Sequence, residues 1–191
     1  MESRLIGFLA GRVQGLEPPM AIVRVGGIGY EVALSSAQLS RLALGAEVEL
    51  SIRTIVRADA IVLYGFADVL ERSLFDELLK VQGVGPSVAL GMLSTLGVQG
   101  CYEAVAGEDL ARLKSAPGVG EKTARRIVVD LGAAARRSGV PLTALAARSE
   151  VREALLSLGF RASECEPILL RIPAELGLED ALKWALKELR N

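Results

Sequence analysis

The chain has 191 residues, of which 51% are hydrophobic and 24% charged, and its 22 basic and 23 acidic side chains leave a net charge of −1. This composition excludes a disordered chain and a generally basic nucleic-acid coat, and it predicts one large domain or two to three small ones. Histidine, the commonest general base and metal ligand, is absent. Cys101 and Cys165 are isolated in sequence, which predicts reduced, partly buried thiols and no metal site.

The sequence favours a cytoplasmic protein. Its N-terminus lacks a basic segment followed by an apolar run, so no signal peptide is predicted. Residues 81–102 carry no charge and are numerous enough to span a membrane. They contain several glycines, Pro86 and polar side chains, however, and therefore favour a buried helical hairpin and no membrane span.

Residues 1–66 are rich in short strands, with Gly and Pro turns between them. A short helix over residues 36–42, capped by Ser35 or Ser36, is predicted between the third and fourth strands, and residues 14–19 are predicted to form a loop. This order is typical of an OB-type barrel, a fold often used on nucleic acids, although a small barrel can also serve only in assembly. The five predicted strands cover residues 4–10, 20–25, 28–34, 47–57 and 60–66.

Residues 67–137 are predicted to be helical, and they contain one glycine turn twice. Gly83-Val84-Gly85 and Gly118-Val119-Gly120 lie 35 residues apart and have the same hydrophobic flanks. Glycine permits positive φ and a close approach of another backbone, and the free N–H groups of the helix that follows suit a phosphate oxygen. Such a contact would hold a nucleic-acid backbone without reading its sequence.

These turns have two other possible interpretations. A glycine between two helices is often only a C-cap, although an aligned repeat favours a reused unit. A nucleotide P-loop is excluded because Glu121 separates Gly120 from Lys122 and the flanking segments look helical. A basic helix face follows the second turn and is either solvated or in contact with phosphate. The predicted DNA-backbone residues are Gly83, Val84, Gly85, Ser87, Gly118, Val119, Gly120, Lys122, Thr123, Arg125 and Arg126.

The end of the chain predicts a small, separate helical unit. Residues 138–147 lose clear periodicity and contain Ser138, Gly139 and Pro141, which indicates a short linker. Residues 148–191 then predict three short helices, over 150–158, 163–172 and 179–189. A unit of this size has little core, so its apolar face is either shared with a partner or needed only to hold the helices together.

Several stretches along the chain form a distinctive set. In the first 66 residues they are Val25-Gly26-Gly27-Ile28-Gly29-Tyr30-Glu31-Val32 and Val56-Arg57-x-Asp59-Ala60-x-x-Leu63-Tyr64-Gly65-Phe66. Further on they are Gly83-Val84-Gly85-Pro86, Pro117-Gly118-Val119-Gly120-x-Lys122-Thr123-Ala124 and Ala154-Leu155-Leu156-Ser157-Leu158-Gly159-Phe160. Together they resemble the RuvA family of Holliday-junction-binding proteins over nearly the full chain.

This resemblance implies an α+β multidomain protein with a five-stranded OB-type barrel, a domain of two helix-hairpin-helix motifs and a small three-helix C-terminal domain. It implies a non-catalytic homotetramer without cofactors, which holds four-way junction DNA open and planar during recombination, repair and the SOS response to DNA damage. One tetramer or two facing tetramers, an octamer, would bind the DNA. The implied partners are the hexameric RuvB ATPase, contacted by the C-terminal domain, and the RuvC resolvase.

The resemblance also implies roles for particular residues. Asp59, in the turn 57–60, would be an acidic pin that pushes phosphates apart at the crossover, although Asp is also common in ordinary turns. The residues implied to contact the motor are Leu155, Leu158, Phe160 and Leu186.

Three positions depart from the family pattern. Ala58 replaces one of two adjacent pin acids, and Ser87 and Glu121 stand where many members have lysine. Each change is expected to weaken phosphate attraction or pin charge. Arg125, beside Arg126, is a candidate to compensate, because the arginine fork suits phosphate.

Two other classes of function remain alternatives to a DNA-binding scaffold. The first is an enzyme. A helix-hairpin-helix glycosylase would need a catalytic carboxylate, for which Asp130 is the candidate, and a pocket for a flipped base. A structure-specific nuclease would need clustered carboxylates to bind metal, but the candidates fit a helix cap and a surface face better. These candidates are Asp68, Glu71, Asp76 and Glu77. The second class is a purely structural assembly protein.

Overall fold

The computed structural model describes residues 5–138 and 142–189. The chain divides into two compact units, Met1–Ser73 and Leu74–Asn191. The first unit is a closed five-stranded barrel and the second is built of helices. The predicted fold class, a barrel followed by helical domains, is thereby confirmed.

The barrel has the strand order β1-β2-β3-β5-β4 and closes because β1 pairs with both β2 and β4. Neighbouring strands are antiparallel except for β3 and β5, which meet in a short parallel pairing. The strands are β1 Phe8–Glu17, β2 Met20–Val25, β3 Ile28–Ala33, β4 Glu47–Val56 and β5 Ile61–Phe66. Alternation along the strands places one apolar set inside the barrel, namely Leu9, Ala21, Val23, Val32, Leu34, Leu50, Ile52 and Leu63.

The first strand differs from its prediction. It runs on to Glu17, so residues 14–17 of the predicted loop are strand, and only Pro18 and Pro19 separate it from β2. The strand continues because Leu16 and Glu17 pair with β2 beyond a register shift between Val13 and Gly15. Pairing with β2 thus overrides the poor strand propensity of this stretch. Arg4, at the start of the predicted strand, lies outside the described residues.

Helix α1 covers Ser36–Leu39, at the predicted place between β3 and β4. Its cap is Ser35, whose hydroxyl accepts a hydrogen bond from the Gln38 amide at 3.2 Å. The next helix, α2, covers Val69–Leu78. As predicted, Asp68 caps it by accepting from the Glu71 amide at 2.8 Å, and the Glu71 carboxylate in turn accepts from the Ala67 amide at 3.0 Å.

Six further helices make up the rest of the described chain. The longest, α3, is interrupted at Gly97, whose φ of 65° and ψ of −177° are not helical. Among the described helices, none is both long and apolar enough to cross a lipid bilayer. The helices are α3 Pro86–Ala106, α4 Leu110–Lys114, α5 Glu121–Ser138, α6 Leu142–Ser157, α7 Ala162–Leu169 and α8 Leu178–Leu189.

Helix α6 begins at Leu142 instead of the predicted residue 150, so residues 142–147 of the predicted linker are helical. Tertiary packing explains this difference, because α6 packs along α3 and Leu145 shares a small cavity with Tyr102 and Leu131. The side-chain amide of Gln99 also donates a hydrogen bond to the Glu150 carboxylate. Residues 139–141 of the predicted linker lie outside the described residues.

Candidate nucleic-acid interface

The two Gly-Val-Gly turns adopt the same backbone conformation in one respect. The first glycine of each has a left-handed backbone, with φ of 97° at Gly83 and 81° at Gly118. Residues other than glycine are strained in this left-handed conformation, so both positions require glycine for the turn itself. This part of the sequence-based interpretation agrees with the structure.

The second glycine of each turn has a different role. Gly85 is extended, with φ of −96°, and Gly120 also lies outside the left-handed region, so positive φ does not explain either residue. A Cβ built at either position meets no atom within 4 Å. Gly85 is the N-cap of α3 and, as a glycine, makes no side-chain cap. Gly120 directly precedes α5. Both glycines therefore border open space where a helix begins. Open space at this point admits another backbone to the first N–H groups of the helix.

The valine between the glycines anchors each turn. Val84 and Val119 are buried, and their amides already donate to the main-chain oxygens of Val81 and Ala116 at 3.0 and 3.2 Å. These two residues therefore hold the turns in place, and the helix-start amides that follow them are the ones that can face a ligand.

Each turn packs against the helix that follows the other turn. A Cβ built on Gly83 would lie 3.7 Å from Thr123 on α5, and one built on Gly118 would lie 2.9 Å from Val88 on α3. Thr123 follows Val88 by the same 35 residues that separate the two glycines. The two repeats are therefore interlocked by a reciprocal exchange of contacts, and they form one platform with two exposed helix starts.

Arg126 joins the two repeats directly. Its Nη1 donates a hydrogen bond to the main-chain oxygen of Gln82 at 3.2 Å, directly before the first glycine turn. The equivalent positions with the repeats exchanged are Gly91 on α3 and Pro117 before the second turn. A Cβ built on Gly91 would lie 3.6 Å from this proline. Arg126 thus acts as a strut between the turns, a role that the basic pattern of α5 does not reveal.

The exposed cations at the second turn are organised by an acid. The carboxylate of Glu121 accepts from Lys114 Nζ at 2.7 Å and from Arg125 Nη2 at 2.9 Å. The hydrogen bond from Lys114 and the nearby positive charges hold the pKa of the Glu121 carboxyl below its usual range. Arg125 is therefore partly neutralised, whereas Lys122 and Ser87 are exposed beside their turns.

The first repeat has fewer cations. Lys80, before the first turn, pairs with Glu77 at 2.6 Å on the protein surface. No basic residue follows Gly85 within the first turn of α3. The basic side chains beside the two turns are thus concentrated at the second turn.

The chain matches known protein families along nearly its whole length. Residues 5–65 match the model of the RuvA N terminal domain, residues 75–133 that of a SAM-like helix-hairpin-helix tandem, and residues 146–190 that of the RuvA C-terminal domain. A relative from Methylibium petroleiphilum, named Holliday junction branch migration complex subunit RuvA, is 39% identical over 194 residues, with 97% of this chain and 99% of the relative covered. The chain belongs to the RuvA family.

Relatives of the same name support this assignment. The one from Acidovorax sp. strain JS42 is 39% identical over 188 residues, and the one from Chromobacterium violaceum is 37% identical over 194 residues. Both alignments cover 97% of this chain, and they cover 99% and 98% of the two relatives. The predicted resemblance is confirmed, as are the DNA-binding and branch-migration assignments that come with RuvA membership.

The acidic turn of this chain lies at the tip of the β4–β5 hairpin. The Arg57 amide donates to the Ala60 oxygen at 2.8 Å and closes the turn, and the Asp59 side chain is exposed. Ala58 beside it is also exposed, so this turn projects a single carboxylate.

The four predicted motor-contact residues are not equally accessible. Leu155 is completely buried in the core, whereas the Leu158 side chain is 61% exposed. Phe160 and Leu186 are half-buried. Leu155 therefore stabilises the C-terminal helices, and the other three residues remain on or near the surface.

The candidate catalytic carboxylates are not gathered in one site. Asp68 and Glu71 form the cap of α2, and Asp130 lies exposed on α5. Within residues 5–138 and 142–189, no group of three or more Cys, Asp and Glu side chains is placed to hold a metal ion. Both cysteines are fully buried, where partial burial was expected.

Sequence reasoning missed Lys114. This residue ends α4 and reaches Glu121 across the second turn. Its counterpart in the first repeat, 35 residues earlier, is Leu79, so the repeat alignment contains no hint of it. The sequence signal for this contact is a basic residue seven positions before an acidic one, with a Gly-Val-Gly turn between them.

Proposed function

We propose that this chain is a non-catalytic DNA-binding subunit whose homotetramer holds a four-way junction open and planar and recruits the RuvB ATPase for branch migration. The observation that carries the proposal is the interlocking of the two Gly-Val-Gly turns, because it fixes two exposed helix starts on one platform. Each helix start offers free amides and a positive dipole end to a phosphate. The contacts are sequence-independent, so four such platforms would recognise the shape of a junction.

The proposed contacts divide into three kinds. Gly85 and Gly120 let the DNA backbone approach, and Gly83, Gly118, Val84 and Val119 shape and anchor the turns. The polar side chains that follow the turns supply hydrogen bonds and charge to phosphate. These side chains are Ser87, Lys122, Thr123, Arg125 and Arg126.

Assembly through the barrel is supported by its exposed apolar side chains. Phe8, Ile28, Val56 and Ile61 are each between 56% and 63% exposed, although they lie on barrel strands. Large apolar side chains on a strand surface favour burial against another copy. A tetramer so formed would bring four copies of Asp59 together, where their negative charges repel phosphates at the crossover.

The C-terminal helices are proposed to bind RuvB through Leu158, Phe160 and Leu186, and RuvC is a further candidate partner. The proposed division is a barrel over residues 1–66, a DNA-binding domain over 67–137 and a motor-binding domain over 148–191. Residues 138–147, predicted as a linker, connect the last two, and 142–147 of them belong to helix α6. A cytoplasmic location fits a complex that acts on chromosomal DNA.

The decisive experiment compares the binding of a four-way junction and of a linear duplex at moderate salt. The proposal expects a clear preference for the junction, and equal weak binding of both DNAs would favour a purely structural protein. Incubation of the labelled junction with Mg²⁺ tests the enzymatic alternatives, since cleaved product strands would contradict a non-catalytic subunit. Gly83→Val and Gly118→Val are each expected to abolish junction binding while the barrel still assembles.

A second experiment tests the acidic turn. Asp59→Asn is expected to change the rate of RuvB-driven branch migration more than it changes junction binding, because the proposed role of this charge is to repel phosphates at the crossover and not to hold the DNA backbone. A large loss of binding, with an unchanged rate among the complexes that form, would contradict the pin.

A further inference from the structure

The second turn carries a built arrangement of one anion between two cations. Glu121 is the first residue of α5 and follows Gly120 directly. Its two carboxylate oxygens accept from different cations, Oε2 from Lys114 Nζ at 2.7 Å and Oε1 from Arg125 Nη2 at 2.9 Å. Lys114 comes from the end of α4 and Arg125 from the next turn of α5, so the two cations converge on the start of α5 from two helices.

This arrangement imitates a bound phosphate. A phosphodiester presents two non-bridging oxygens to charged donors, much as the Glu121 carboxylate does here. The start of α5 adds the positive end of its dipole and its first amides, which attract either anion. The lowered pKa of the Glu121 carboxyl has the same cause, since the hydrogen bond from Lys114 is its largest contribution.

We propose that Lys114 and Arg125 form a phosphate-binding pair at the second turn, and that the Glu121 carboxylate occupies this pair until a DNA phosphate displaces it. The inference rests on the proposed DNA-backbone binding and assigns a role to Lys114 that the two-turn pattern does not include. Glu121 then acts as an internal competitor that sets how strongly the second turn holds DNA.

The competitor has a consequence for movement of DNA across the surface. When a phosphate leaves, Glu121 can neutralise both cations again, so release does not leave two unpaired charges. Ion pairs this exposed are weak, which allows rapid exchange between the carboxylate and phosphate. A subunit that must let DNA arms pass benefits from such exchange more than from the tightest grip.

The first turn has no equivalent cluster. The positions 35 residues before Lys114, Glu121 and Arg125 are Leu79, Pro86 and Leu90, none of which is charged. The competitor is therefore confined to the second turn, and its removal should change that turn alone.

The test is Glu121→Gln, which keeps the side-chain size and removes the charge. Glu179→Gln is the matched control, because Glu179 is also exposed and also pairs with a base four residues on, Lys183, but lies on α8. We expect Glu121→Gln to bind junction and linear duplex roughly threefold tighter or more at about 0.1 M salt and to dissociate more slowly, since one repelling charge is gone and two cations are freed. Glu179→Gln should leave both affinities within about twofold of the parent.

Lys114→Ala completes the test. It should weaken binding less in the parent than in the Glu121→Gln background, where Lys114 is free for phosphate. Equal effects in both backgrounds, or a Glu121→Gln protein that binds DNA no more tightly than the parent, would overturn the inference. The duplex measurement keeps the two proposals separate: a parent without preference for the junction contradicts the proposed function, while the response of duplex affinity to Glu121→Gln still decides the role of Glu121.

Discussion

Arg126 and Gln82 are 44 residues apart in sequence, yet Nη1 of the arginine donates to the main-chain oxygen of the glutamine at 3.2 Å. The bond ties the helix of the second repeat to the residue that precedes Gly83. The position of the first turn therefore depends on a side chain of the second. Arg126 has a structural role in addition to its charge, whereas Arg125, its neighbour, pairs at the surface with Glu121.

This difference predicts unequal effects of two similar substitutions. Arg126→Met should lower the free energy of unfolding by about 1 kcal/mol, the typical net contribution of one hydrogen bond, because the Gln82 oxygen loses its donor. Arg125→Met should change it by less than about 0.5 kcal/mol. Urea denaturation measures both values, and junction titration should show the larger loss for Arg126→Met. Equal stability and equal affinity of the two variants would contradict the strut.

The reciprocal packing of the turns predicts a specific coupling. Gly83→Ala and Gly118→Ala both force alanine into a left-handed backbone, at about 1–2 kcal/mol. Gly118→Ala also places a methyl group 2.9 Å from Val88, which should add roughly 1–3 kcal/mol. Val88→Ala should relieve that added cost when it is combined with Gly118→Ala.

The control is Val88→Ala combined with Gly83→Ala, where the nearest atoms to the new methyl group belong to Thr123 and Arg126. These two changes should be additive, whereas the Gly118 pair should be less destabilising than the sum of its single changes. Urea denaturation of the three single and two double variants measures the coupling. The same coupling energy in both pairs would show that Val88 is not the obstacle.

Local chemistry explains which parts of this fold were predictable. The glycine turns, the Ser35 and Asp68 caps and four of the five strands depend on short sequence patterns, and each lies at or near its predicted place. The second half of β1 depends on pairing with β2, and the start of α6 depends on packing against α3. Neither determinant is local, so periodicity alone did not reveal them.

The candidate site shows the same division. The residues of both turns follow from the repeat, because their backbone requirements lie within three residues. The contact of Lys114 with Glu121 and that of Arg126 with Gln82 do not follow from the repeat, since each joins a helix to another element. Arg125, the candidate to compensate for the acid at position 121, is paired with that acid instead.

The buried thiol of Cys101 predicts slow chemical modification. Burial raises the pKa of Cys101 from 9.0 to about 12, and the charge of Arg112 opposes this only in part. At pH 8 the thiolate fraction is then roughly a thousandfold below that of a free cysteine with a pKa of 9.0. Mass spectrometry after labelling of the folded protein should find Cys101 unmodified when an unfolded sample is fully labelled. Modification of both samples at the same rate would contradict this environment.

The same pKa predicts how stability changes in alkali. The folded state keeps the Cys101 proton that the unfolded state loses near pH 9, so the free energy of unfolding should fall as the pH rises above that value. Cys101→Ala should make this fall shallower, which urea denaturation between about pH 8 and 10.5 would measure. An unchanged slope in the variant would rule out the thiol as a contributor.

Leu155 is buried and Leu158, three residues later, is exposed. Substitution of Leu155 is therefore predicted to impair stability, and substitution of Leu158 to impair only the proposed contact with RuvB. Leu155→Ala should lower the free energy of unfolding by about 2–5 kcal/mol, because it opens a cavity in the core. Leu158→Ala removes a surface side chain and should change stability by less than about 0.5 kcal/mol. If Leu158 contacts the motor, its variant should bind the junction normally but support less RuvB-dependent branch migration. A Leu158→Ala protein with full motor-dependent migration would remove Leu158 from the proposed contact and leave Phe160 and Leu186 to provide it.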